Sequence, residues 1–230
     1  KNEFHALLSV FLLEGIYFYN FTTPEFNVNI CQIPFWTLTV YYFWQCFKNN
    51  KVQNWIFLGL FSALGVLSKY LFIYLLIGML AFLIFKIKKN KKFNYKYFIP
   101  LSIFLLILAP HLIWLINNDF KTIVYGLQRT SSENSNFLNH LLYPLKFTLK
   151  QIGVLIPFFI LLSLIITKFK FKIKLHDEKL IYLISVTLVP ILLMLLTSLF
   201  FGANIRTMWM TPFYLFFGLL FIYIFESKIN

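Results

Sequence analysis

Apolar residues run through this chain in long blocks, and short polar breaks divide the blocks from one another. The blocks lie at residues 6–19, 28–47, 55–85, 97–116, 147–167, 180–201 and 208–225. Most are roughly 15–22 residues long, the length a helix needs to cross a hydrocarbon core about 30 Å thick. The block at 55–85 is too long for one span. As a straight helix it would extend about 46 Å at 1.5 Å per residue. Lys69 stands near its middle, and two short helices meeting there form a hairpin whose ends return to one face. Gly59 and Gly65 on the first arm, and Gly78 on the second, allow close packing. The pattern predicts an all-α polytopic transmembrane bundle of about eight segments, in a single domain over residues 1–230.

Lysine placement supports the hairpin. With it, fifteen basic residues gather on one face: Lys1, Lys48, Lys51, the clusters at 86–96 and 168–179, and Lys228. The opposite face receives five, Lys121, Arg129, Lys146, Lys150 and Arg206, with Lys69 set aside. A single long helix would change the split to eight against twelve. Cytoplasmic loops carry an excess of Lys and Arg, so the hairpin arrangement is the better one and its lysine-rich face is cytoplasmic.

The break Asn20-Phe21-Thr22-Thr23-Pro24-Glu25-Phe26-Asn27 then faces outward. Thr23-Pro24-Glu25 reads as a helix start, with a hydroxyl cap, a proline in the first turn and an acid at the positive end. The same outer face collects Asp119, Arg129, Glu133, His140 and Arg206, with Lys69 near it at the hairpin tip. Residues 137–143 read as an amphipathic segment along the interface.

Composition narrows the class further. The chain is 60% hydrophobic and 13% charged, whereas a soluble domain needs about a quarter of its residues charged. A net charge of +13 would suit a nucleic acid, but the lysines sit between apolar blocks as membrane loops do, so no nucleic-acid partner is expected. Cys31 and Cys46 lie on one predicted helix about 22 Å apart, which excludes a bridge between them. The chain starts with Lys1 and the first apolar block is already under way by residue 6. It reads as an N-terminally incomplete internal piece of a longer protein.

Four pieces carry a family resemblance. Pro110-His111-Leu112-Ile113-Trp114, with Asn117, Asp119 and Tyr125, then Arg129, Gln151 and Pro157, resembles the central part of bacterial family 39 glycosyltransferases. These are the protein mannosyltransferase-like and aminoarabinose-transferase-like enzymes. Glu25 follows an outer turn where that family usually has Asp. The stretch from Gly59 to Leu67-Ser68-Lys69 resembles its glycine-rich helix ending in Leu-Thr-Lys. Arg206-Thr207-Met208-Trp209-Met210-Thr211-Pro212 resembles its Arg, Trp and Pro element late in the membrane domain. The resemblance implies a GT-C-like bundle in the inner (plasma) membrane that moves a sugar from a polyprenyl-phosphate donor to a lipid or protein acceptor outside the cytoplasm. The family's principal acid lies in its first outer loop, which would precede Lys1.

Each candidate residue has a plainer role beside this one. Glu25 is a supporting catalytic residue or a ligand for a divalent metal ion, the one cofactor expected; otherwise it complements a helix N-terminus. Lys69 binds the donor phosphate, or snorkels or pairs with Glu14. Arg206 suits bidentate phosphate contact, or anchors the interface beside Trp209. Asn117, Asp119 and Arg129 contact donor or acceptor, or Asp119 caps the next segment. Glu14 is read as structural. Membrane lipids are the remaining partners. The alternatives are a multi-span transporter or lipid flippase, and a silent assembly subunit; the chain has no internal repeat and concentrates its polar residues outside, which weighs against transport.

Overall fold

A computed structural model describes residues 3–91, 93–130, 137–166 and 177–225. Every regular element among them is helical: α1 (Glu3–Phe11), α2 (Val28–Asn49), α3 (Val52–Ser68), α4 (Ile73–Asn90), α5 (Phe98–Asn117), α6 (Lys121–Gln128), α7 (Asn139–Ile165), α8 (Glu178–Phe201) and α9 (Phe217–Phe225). A 3₁₀ helix, Thr207–Tyr214, precedes α9.

The hairpin at Lys69 is present. α3 ends at Ser68, Lys69 is extended, and a 3₁₀ turn leads into α4. At the far ends of the arms, Trp55 of α3 packs edge-on against Tyr97, while Phe82 of α4 packs against Phe47 of α2. Both arms therefore finish beside the α2–α3 turn, at one end of the bundle. There Lys96 Nζ donates to Asn50 O at 2.7 Å and Lys86 pairs with Glu178. The arms diverge between these ends: α3 packs on α2 and α5, and α4 on α8. A Cβ on Gly59 would lie 2.6 Å from Pro100 O, so glycine is what lets α3 approach α5. Gly78 does the same for α4 against Ser185 of α8.

The remaining elements keep this polarity. Ser9 of α1 lies against Gly218 of α9, and farther along, Tyr19 OH donates to Thr211 O at 2.6 Å. Tyr74, just past the hairpin tip, meets Thr197 near the end of α8, with their hydroxyl oxygens 2.8 Å apart. One end of the bundle thus holds Lys48, Lys51, Lys86, Lys89, Lys96, Asp177 and Glu178. The other, the polar end, holds the break at residues 20–27, the hairpin tip, α6 and the turn before the 3₁₀ helix. Glu133, Glu226, Lys1, Lys92, the lysines at 168–174 and Lys228 lie outside the described residues.

Several boundaries differ from those the sequence suggests. Four helical stretches are long and apolar enough to cross a membrane, Tyr70–Asn90, Tyr95–Asn117, Asn139–Ile165 and Glu178–Phe201, or five with the bent pair Thr207–Tyr214 and Phe217–Phe225. The first block falls short because α1 gives way to a 3₁₀ turn at Leu12–Gly15 and then a π turn at Phe18–Thr22. α2 has 22 residues, but Asn29, Gln32, Thr37, Thr39 and Gln45 dilute its hydropathy; α3 has only 17. The helix after the break starts at Val28, not at Pro24. Asn27 is its cap, accepting from Asn29 N at 2.9 Å and Ile30 N at 3.4 Å. Thr23 instead donates back to Tyr19 O. Residues 139–143 are the first turns of α7, and the amphipathic surface helix is α6, none of whose residues is buried.

Candidate functional site

The polar end is built around Lys69. Its backbone is fixed from two sides: Lys69 N donates to Gly65 O at 3.2 Å, and the fully buried amide of Gln32 donates to Lys69 O at 3.0 Å. Ser68 releases the helix here, its hydroxyl bonding back to Gly65 O at 2.6 Å. The ammonium is half-buried, donates to Asn29 Oδ1, and lies 4.9 Å from the ring centre of Trp209. Asn29 and Gln32 sit three residues apart on α2, one turn inside its Asn27 cap, so both face the hairpin tip.

Neither contact supplies negative charge. Among the described residues the ion pairs are Lys86–Glu178 and Lys89–Glu178, both at the other end, and Lys69 does not pair with Glu14. Burial pushes the Lys69 ammonium down to about 7 from its usual 10.5, and the positive charge of Arg129 adds to the effect. Among the described residues neither of these two cations is paired with a carboxylate. Arg129 caps the end of α6, where its guanidinium donates to Tyr125 OH at 3.0 Å and lies 5.5 Å from that ring.

The other candidates share this end without joining Lys69. Glu25 is exposed in the turn before α2; its carbonyl accepts from Asn27 Nδ2 at 2.9 Å and its carboxylate has no ion-pair partner among the described residues. Asn117 closes α5 and is exposed. Asp119 has a left-handed backbone, φ +52°, and does not cap α6, whose N-cap is Phe120. Arg206 is exposed and extended at the mouth of the 3₁₀ helix that carries Trp209. His140 has a structural place, its Nδ1–H donating to Leu199 O at 2.9 Å beneath Gly202.

Three residues to which the sequence reading gave no role, Asn29, Gln32 and Tyr70, complete the neighbourhood. Tyr70, next to Lys69, has its hydroxyl 2.7 Å from His111 Nε2 and 2.6 Å from Thr122 Oγ1. This chain of bonds ties the hairpin tip to α5 and α6. Farther on, Asn204 N donates to Thr130 O at 2.9 Å, so the α6 strap is held at both ends. The signal for Asn29 and Gln32 was a pair of amides on one face of an otherwise apolar helix; nothing local marks Tyr70.

A metal ion finds little here. Among the described residues no group of three or more His, Cys, Asp or Glu side chains could hold one, and Glu25 offers a single carboxylate. Such a site is complete only when a ligand brings its own oxygens, as phosphate does for Mg²⁺.

Residues 2–114 match the model of a family described as dolichyl-phosphate-mannose-protein mannosyltransferase. The matched stretch contains Glu25, Asn29, Gln32 and Lys69 and ends at Trp114; Asn117, Asp119, Arg129 and Arg206 lie beyond it. No curated protein and no solved structure matches the chain.

Proposed function

We infer, for an integral membrane protein whose residues 2–114 match this mannosyltransferase family model, that it is a glycosyltransferase whose polar end receives the phosphate of a polyprenyl-phosphate-linked sugar. The sugar passes to a lipid or protein acceptor on the non-cytoplasmic face of the inner (plasma) membrane. The observation that carries this reading is Lys69, a half-buried ammonium with neutral partners and a second cation nearby. Burying a cation without a counter-ion is costly, and a dianionic or monoanionic phosphate is the ligand that relieves the cost.

The chemistry asked of these residues is on the leaving-group side. An acceptor hydroxyl oxygen forms a bond to the sugar's anomeric carbon and gives up its proton to a carboxylate base, the bond from that carbon to the phosphate oxygen breaks, and negative charge builds on the departing lipid phosphate. Lys69 and Arg129 stabilise that charge as it develops. Arg206, at the open edge beside Trp209, adds a planar fork suited to phosphate oxygens. Glu25 supports the acceptor side, and a divalent ion, where one is used, takes Glu25 and donor phosphate oxygens as ligands. Asn117 and Asp119, at the exposed end of α5, contact the donor or acceptor headgroup.

The test is transfer by the full-length protein. Lys69→Ala and Arg206→Ala should each lose transfer far more than folded yield. Wild-type turnover in both would end the assignment. Chelation of divalent ions that leaves the rate unchanged would remove the metal from it.

A further inference from the structure

Four buried side-chain polar atoms among the described residues have no hydrogen-bond partner: Gln32 Oε1, Trp36 Nε1, Thr39 Oγ1 and Gln151 Nε2. Three of them belong to one face of α2, at positions i, i+4 and i+7, and all three residues are 0% exposed. At 1.5 Å per residue the stripe extends about 10 Å. It starts at Gln32, directly beneath Lys69, and runs toward the bundle centre.

Phe72, just past the hairpin tip, and the 3₁₀ helix both pack on this stripe at Trp36. The 3₁₀ helix Thr207–Tyr214 places Phe213 4.9 Å from Trp36, ring centre to ring centre, and Trp209 over Lys69. Its Tyr214 hydroxyl donates to Gln151 Oε1 at 2.8 Å, leaving only the amide nitrogen of that residue unmatched. Packed interiors seldom leave a buried amide, indole N–H or hydroxyl without a partner, and a run of three calls for an explanation. The 3₁₀ cover is itself unusual. It is eight residues of 3₁₀ helix, twice the ordinary length of such runs, and it meets α9 at a bend of 49°.

The stripe offers an acceptor, a donor and a group that is both, set among the rings of Trp36, Phe72 and Phe213. That combination fits a small ring with hydroxyls on its edge and C–H groups on its faces. We propose that the Gln32–Trp36–Thr39 stripe is the seat of the donor's sugar ring, filled when the 3₁₀ helix moves aside. The inference rests on the glycosyltransferase reading and places the sugar below the phosphate held at Lys69. Bound water is the other source of matching hydroxyls.

One isosteric and one smaller aromatic variant separate these cases. Thr39→Val removes a hydroxyl at constant shape, and Trp36→Phe removes the indole N–H. In the full-length protein in lipid nanodiscs, binding of mannosyl polyprenyl phosphate and of sugar-free polyprenyl phosphate is measured beside the melting temperature without ligand. The wild-type protein should bind the mannosylated lipid at least about tenfold more tightly. Each variant should lose most of that margin and bind the sugar-free lipid as before; Thr39→Val should melt at the same or a higher temperature, and Trp36→Phe lower, because the smaller ring leaves a gap in the core. The proposal is overturned if both variants keep the margin, or if the wild-type protein binds only the sugar-free lipid. It is also overturned if Thr39→Val melts several degrees lower with the margin intact, since the stripe would then hold water. Failure of the wild-type protein to bind either lipid would instead defeat the phosphate reading on which the proposal rests.

Discussion

The two ends of the bundle handle positive charge in opposite ways. At the lysine-rich end, Lys86 pairs with Glu178, Lys89 lies 3.6 Å from the same carboxylate, and Lys96 binds a carbonyl. Asp177 there accepts from Tyr223 OH at 2.6 Å. At the polar end, Lys69 rests on an amide and an indole, and Arg129 on a phenol. At the first end, Glu178 supplies counter-charge to the two lysines nearest it. At the second, neither cation has a carboxylate partner among the described residues, which is the basis for proposing an anionic ligand there. The comparison teaches that the number of charges and their pairing are separate signals: the first distinguishes the two ends of the bundle, and the second singles out Lys69 as the proposed ligand-binding cation.

The largest way to break this contrast is Lys69→Ala, which should lower transfer about 100-fold with near-normal folded yield, since hydrogen bonds to charged groups contribute about 1.5–3 kcal/mol. A rate within twofold of wild type would make the two ends equivalent. Arg129→Ala should cost about tenfold, because its phosphate contact is more exposed and screened. It should also move the Lys69 titration upward, a shift readable in the pH dependence of donor binding.

That pH dependence is the next effect. With Lys69 titrating at about 7 in the free protein, phosphate affinity should hold below pH 7 and fall above it, approaching tenfold per pH unit. Lys69→Arg should remove the fall. Stability should respond with the opposite sign. The unfolded chain keeps the lysine proton up to its ordinary 10.5, so this group makes the fold more stable as pH rises from about 7 to that value. A donor affinity that stays flat from pH 6 to 9 in the wild-type protein would argue against Lys69 as the phosphate ligand.

The smallest effect belongs to the other end. Glu178→Gln should cost about 1 kcal/mol of stability or less, as partly exposed ion pairs do, and leave transfer unchanged. A large loss of transfer would mean that the lysine-rich end takes part in the chemistry.

Most of the helix order was legible in the sequence because apolar block length and lysine bias are strong, independent signals. Together they placed the turn at Lys69 and grouped Glu25, Asp119, Arg129 and Arg206 at one end. Local backbone choices were less legible. Thr23-Pro24-Glu25 has the residue types of a helix start, yet Asn27 caps α2, because its side chain reaches two amides of the first turn. The block at 208–225 is uniformly apolar, so nothing in hydropathy marks the 49° bend that divides it. Counting apolar length also overstated the spans, since α2 spends one face on Asn29, Gln32 and Thr39. Lys69 itself stood out as a charge inside an apolar block. Its partners did not, because Asn29 and Trp209 are 40 residues before it and 140 after it, and only the fold brings them together.

The most direct measurement is equilibrium binding of polyprenyl phosphate to the full-length protein in nanodiscs at pH 6.5, wild type against Lys69→Gln, a neutral side chain that keeps hydrogen-bonding ability. The account predicts saturable binding that Lys69→Gln weakens at least about tenfold, with no change for Lys86→Gln at the other end. Equal affinity in wild type and Lys69→Gln, or a matching loss in Lys86→Gln, would contradict it.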